Sequence, residues 1–232
     1  QVVTANTTHC NQRVFASLDI DVAGPQWLVQ GAVGVAMAAR NSCASGRKMA
    51  AVAGAMASLA PPGRPDLVPA DDELRESHTW LARELVNAGV DLVRVESMST
   101  LREARIALDA VLAAGGAAWV SFACGGEGEL LSGESLGEAA RAIEAAGARA
   151  VLVNGSDLDE TEASLRVLAD VGVGRFGAAP GARSSTVADP EAFAQRLHGW
   201  VHDFGVEMLG GDLGYGPAHI GAMAAEAGSV PA

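Results

Sequence analysis

Short apolar runs alternate with amphipathic stretches along the whole chain. From Asp71 to Ala88, Leu74, His78, Leu81 and Leu85 recur every third or fourth residue, three acids open the stretch, and Gly89 follows it. That spacing predicts a helix with one buried face and a glycine stop. Val90 to Glu96 is β-branched and short, and predicts a strand. Thr100 with Glu103, and Ser135 with Glu138, have the spacing of capping boxes, so helices should start there and run to about Ala114 and to Gly147. Strands are predicted over Ala117–Cys124, Ala148–Asn154 and Val173–Ala179, with a helix from Asp159 to Val171 between the last two. Asp189 before Pro190 marks another helix start, with Phe193, Leu197, Trp200, Val201 and Phe204 on its apolar face. Val206–Gly210 is the last strand, and Pro217 opens the last helix.

The first third is written less sharply. Val2 to Thr7 predicts a strand, Gln26 to Cys43 a helix rich in Ala and Gly, and Met49 to Ala57 a strand. Pro61 to Pro69 holds four prolines and predicts a loop. Helix, glycine and apolar strand follow one another at Gly89-Val90, Gly147-Ala148, Gly172-Val173 and Gly205-Val206. Strands alternating with helices imply a parallel sheet covered by helices. Seven strands, each followed by a helix, are one unit short of the eight that close a (β/α)8 barrel. A single domain over residues 1–232 is expected.

Composition narrows the function classes. The formal charge is −12 and the pI about 4.7, with no Lys/Arg cluster, which disfavours nucleic acid and anionic membrane as partners. Three well-separated cysteines, Cys10, Cys43 and Cys124, do not make a disulfide framework, and point to a reducing, cytoplasmic location. No apolar run approaches the roughly 20 residues that span a bilayer. The opening Gln1-Val2-Val3 has no charged leader and reads like the middle of a fold, so a preceding segment is expected in the natural protein. The glycine motifs that cradle nucleotides are absent: Gly125-Gly126-Glu127-Gly128 follows a strand but lacks their partner residues.

The final strand and turn, Leu209-Gly210-Gly211-Asp212-Leu213-Gly214-Tyr215-Gly216-Pro217-Ala218-His219-Ile220, are the most telling. They resemble the Gly-Gly-Cys-Cys-Gly-Thr-x-Pro-x-His-Ile run of the homocysteine S-methyltransferase family, the betaine and S-methylmethionine type with a zinc-binding domain. Thr4-Ala5-Asn6-Thr7 through Asn11, Val52-Ala53-Gly54, His78, and Ala88-Gly89-Val90-Asp91 through Glu96-Ser97 resemble further family motifs in the same order. So do Glu103-Ala104 and Ser121-Phe122. The resemblance implies a TIM-type barrel whose first β/α unit is missing from this chain. It also implies methyl transfer from a sulfonium or betaine-type donor (S-adenosylmethionine, S-methylmethionine or betaine) to a small thiol or other nucleophile, within methionine metabolism.

In that family three cysteines hold zinc, which keeps the acceptor thiol deprotonated. Here Gly155, Asp212 and Leu213 stand in their places. A free thiol with a pKa of about 8.5 is mostly protonated at pH 7, and one carboxylate does not make a zinc site. The expectation is a divergent member without the metal or any other cofactor. A site rebuilt from His9, Cys10, Cys124 and Asp212 is the less favoured alternative.

In a barrel the chemistry sits at the C-terminal strand ends, which makes Asn6, Glu96, Cys124, Asn154 and Asp212 the candidate substrate-binding residues. The resemblance gives Glu96 the acceptor's amino group; a structural carboxylate bonded to backbone amides or to a neighbouring Arg is the competing reading. Asn154 either orients a ligand or fixes its own loop. Asp212 is either a turn residue or a negative charge for a cationic ligand. Cys124 reads alternatively as a small buried hydrophobe, His9 as a solvated loop residue and His219 as a packing or capping residue. The tryptophans read as core. Two other functions stay open: a non-catalytic relative that binds a small molecule, dimer mate or partner chain across the open barrel edge, and a barrel enzyme using Glu96 and Asp212 as acid and base.

Overall fold

The computed structural model describes residues 1–18, 25–43, 50–125, 128–182 and 187–228. Strand β1 (Val2–Ala5) is followed by a six-residue helix α1 (Gln12–Ser17) and by α2 (Gln26–Ser42). Then come β2 (Ala51–Ala57), α3 (Asp71–Asn87), β3 (Leu92–Met98) and α4 (Leu101–Ala113). The remaining units are β4 (Ala118–Ala123) with α5 (Leu136–Ala145), and β5 (Ala150–Asn154) with α6 (Leu158–Asp170). Finally, β6 (Phe176–Ala179) leads to α7 (Pro190–Phe204), and β7 (Met208–Leu209) to α8 (Pro217–Gly228).

Each strand pairs in parallel with the next in sequence, giving one seven-stranded sheet ordered β1 to β7. This is the strand order of a TIM-type barrel, one β/α unit short of the eight that close it among the described residues. Among the described residues β1 and β7 each have one neighbour.

Strand parity separates two interiors. Val93, Val95, Val120, Phe122, Val151 and Val153 belong to the continuous core between sheet and helices. A Cβ on Gly54 would lie 2.6 Å from Leu85 of α3, so Gly54 faces that layer, and its buried neighbours Ala53 and Ala55 face the lumen. Arg94, Glu96, Trp119, Ser121, Leu152 and Asn154 fall on the lumen side by the same alternation. A barrel lumen is ordinarily filled by bulky branched side chains; β2 contributes the small Ala53 and Ala55 to this one.

The predicted caps form. Thr100, Ser135 and Asp189 side chains accept from the amides of Glu103, Glu138 and Ala192, and Gly205 ends α7 in the left-handed region at φ 73°. The first capping box is only half made, because Glu103 turns inward. Its buried carboxylate accepts from the Ser58 hydroxyl at 2.6 Å and the Leu59 amide at 2.7 Å, and meets His78 Nε2 at 3.2 Å.

Several sequence expectations are corrected. The strand expected from Val90 begins at Leu92, because Asp91 binds the Val52 amide at 2.7 Å through its carboxylate. A single 3-10 turn, Pro65–Leu67, interrupts the predicted loop. Val201 is exposed rather than part of the α7 core face. Trp27 is 65 % exposed, and Trp119 faces the lumen, so neither is a core residue in the expected sense. Met49, where the sequence predicts the second strand to start, and Gly126 and Glu127 of the glycine run lie outside the described residues. No helix among those described is long and apolar enough to cross a membrane.

Candidate functional site

The C-terminal strand ends gather a polar cluster. Glu96 and Ser97 come from β3, where the register with β4 shifts between Val95 and Met98 and Ser97 takes φ 57°. That bulge brings Ser97 to the lumen beside Glu96, breaking the alternation that would have sent it outward. Ser121 comes from β4, Asn154 from β5 and Asp212 from the turn after β7. Asn154 Oδ1 accepts from the Ser121 hydroxyl at 2.6 Å, while its Nδ2 donates to Ser97 Oγ at 2.7 Å and to Asp212 Oδ2 at 3.1 Å. The other Asp212 oxygen accepts from the Leu213 amide at 2.8 Å. Asn154 is therefore fully engaged and fixes the direction of the Asp212 carboxylate.

Glu96 lies beside this network and pairs with Arg94, Nη2 to Oε1 at 3.0 Å; its side chain is 15 % exposed. Burial raises its pKa above the ordinary carboxylate range, the Arg94 guanidinium opposes that rise, and the Asp212 charge adds to it. The neighbouring Arg named in the structural reading is thus Arg94, and the pair stands at the rim where the other reading puts a ligand. Arg94 in turn donates to Thr4 Oγ1 at 3.0 Å across β2, a path kept clear by the small Ala53 and Ala55.

The other candidates are placed differently. Asn6 follows β1 at the open edge, exposed, and among the described residues no side-chain hydrogen bond joins it to the cluster. Cys124 does not reach the rim. Strand parity puts it with Val120 and Phe122 against α6, where its thiol interacts with Ser164, and burial pushes its pKa up to about 12. His9 is exposed and Cys10 half-buried, with its thiol also raised by burial. His219 accepts from the Gly216 amide at 3.1 Å and meets the Ala188 carbonyl at 3.0 Å, tying the start of α8 to the preceding turn.

The positions that correspond to zinc cysteines do not fit the metal. Gly155 sits at φ 80°, a backbone region that side chains avoid. Leu213 is 80 % exposed, and Asp212 is bound to Asn154 and to an amide. Among the described residues no group of three or more His, Cys, Asp or Glu could hold a metal ion. The rim network is polar and presents two carboxylates, Glu96 and Asp212, groups able to hold a cation or to take a proton.

Sequence reasoning gave Arg94 no role, and used Ser97 and Ser121 only as parts of a resemblance. Arg94 and Glu96 are two apart on a strand whose other positions are Val93 and Val95, so alternation alone was enough to put both on one face. Nothing comparable marks Ser97, because its orientation depends on the bulge.

A model of the homocysteine S-methyltransferase family matches residues 1–227, and the chain belongs to that family. Among solved structures it is similar to the homocysteine methyltransferase MmuM from Escherichia coli. For the metallated form the TM-score is 0.87 at 22 % identity, covering 97 % of this chain and 79 % of that one. The oxidized form gives a TM-score of 0.84 over the same shares and at the same identity. A more distant likeness is to the carboxyl transferase domain of Rhizobium etli pyruvate carboxylase, TM-score 0.51 at 13 % identity, covering 85 % of this chain and 31 % of that one. No curated protein sequence matches. At these identities the structural likenesses speak for the fold alone.

Proposed function

We propose that this member of the homocysteine S-methyltransferase family transfers a methyl group from a sulfonium or betaine-type donor to a small thiol, without the family zinc. The observation that carries the reading is Glu96: a buried carboxylate of raised proton affinity at the mouth of a barrel, beside a second carboxylate, Asp212. An acceptor thiol entering the lumen gives its proton to Glu96. Its sulfur forms a bond to the donor methyl carbon as the donor's carbon–sulfur or carbon–nitrogen bond breaks, and that electron pair stays on the donor heteroatom, which leaves neutral. Asp212, fixed by Asn154 and the Leu213 amide, holds the cationic centre of the donor by charge. Proximity and a matched base are the two contributions available in the absence of a metal.

The test is a panel of S-adenosylmethionine, S-methylmethionine and betaine against homocysteine and smaller thiols, with methylated product read by mass spectrometry. One donor–acceptor pair should turn over, and Glu96→Gln should lower its rate about a hundredfold or more. No product with any pair, or an unchanged rate in the variant, would overturn the proposal.

A second reading has its own support. Among the described residues β1 and β7 each present an edge with one neighbour, and proteins usually cover such edges. A dimer mate or partner chain across that seam would make this chain a binding subunit. A stable complex that shields β1 from hydrogen exchange, with no turnover, is the outcome that favours it.

A further inference from the structure

The lumen below the rim holds a cavity of about 270 Å³ whose walls include Thr4, Arg94, Trp119, Leu152, Met208 and Gly210. A wider hollow of about 560 Å³ lies on the outer surface, lined by Gln12 and by Arg75, Trp80 and Arg83 of α3, but it touches no strand end. The lumen cavity is just below the range of about 300–1,000 Å³ typical of small-molecule sites. Its one unusual wall is Arg94. The guanidinium reaches Thr4 through one terminal nitrogen and Glu96 through the other, while its buried Nε has no partner. A buried donor left unpaired costs free energy that an acceptor group would recover. The fork geometry of a guanidinium matches a carboxylate through two parallel hydrogen bonds. Glu207, the acid at the far end of the cavity, is engaged with Arg175 at 2.9 Å and does not compete.

We infer that Arg94 is the acceptor-recognition residue of this barrel, holding a carboxylate of a small thiol acid in the lumen cavity. This rests on the methyl-transfer reading for the identity of the acceptor, but the binding itself does not need turnover. A ligand carboxylate that takes Nε and one terminal nitrogen draws the guanidinium away from Glu96. The acceptor thus exchanges partners with the group that removes its proton, and Glu96 becomes a stronger base only when acceptor is present. The indole of Trp119 and the side chain of Leu152 cover the apolar part of the ligand.

Titration calorimetry on the full chain tests this with three probes: homocysteine, the thiol acid that lacks its ammonium, and the thiol amine that lacks its carboxylate. Homocysteine and the thiol acid should bind the unmodified protein more tightly than the thiol amine. Arg94→Gln should weaken both carboxylates about tenfold or more and should not weaken the amine, whose ammonium group gains from the uncompensated Glu96 charge. Arg94→Lys, which keeps the charge and loses the fork, should weaken them by less and guards against misfolding of the first variant. Equal losses for all three probes, no loss in either variant, or no binding of any probe would overturn the assignment. Carboxylate-selective binding without turnover would keep it and discard methyl transfer; turnover with no effect of Arg94 would do the reverse.

Discussion

Glu103 and Glu96 are both removed from water, and their neighbours push them in opposite directions. Burial alone would raise the Glu103 pKa, but hydrogen bonds from His78, Ser58 and the Leu59 amide outweigh it and hold the group below the ordinary range. Its contribution to stability is therefore complete above an unfolded pKa of about 4.3 and is lost as pH falls through the lower folded value. Glu103→Gln should cost about 1–3 kcal/mol at neutral pH and flatten the acid limb of a thermal-melting profile. Glu96 behaves inversely, because burial wins there and the folded pKa lies above the unfolded one. Its own contribution to stability is then greatest below about pH 4 and declines as pH rises through the folded value. Glu96→Gln should raise the melting temperature at neutral pH and lose that advantage in acid, while activity falls. Such opposed effects are expected where a strained group serves function. The sequence marked both glutamates as of interest, but only packing reveals which one is satisfied.

At the scale of elements, the alternation of apolar strands with capped helices was legible almost throughout, because caps and glycine stops are local in sequence. What was not legible depended on neighbours in space. α1 is six residues long, too short to show a period. β7 shrinks to Met208–Leu209, and among the described residues it pairs with β6 alone. The error at Cys124 was one of parity: a strand end was identified correctly, but the face was not. Gly177 shows how closely the last strands fit, since a Cβ there would run into the backbone carbonyl of Met208. A backbone atom cannot rotate aside, so Gly177→Ala should push β7 off β6 and cost about 1–3 kcal/mol or more, read from chemical denaturation.

The whole molecule is a seven-stranded part of a barrel with a formal charge of −12. A field of that sign favours the approach of cations and is screened by salt. The KM for a sulfonium donor of net positive charge should therefore rise with ionic strength, and that for betaine, which is neutral overall, should change much less. The family places zinc where this chain has Gly155, Asp212 and Leu213, and the account stands on Glu96 taking over the activation of the thiol. Metal analysis of the purified chain, paired with its methylation rate before and after exhaustive chelation, tests this most directly. Product formed at an undiminished rate by protein carrying far less than one zinc per chain is the result predicted. A rate that disappears on chelation and returns with stoichiometric zinc would contradict it.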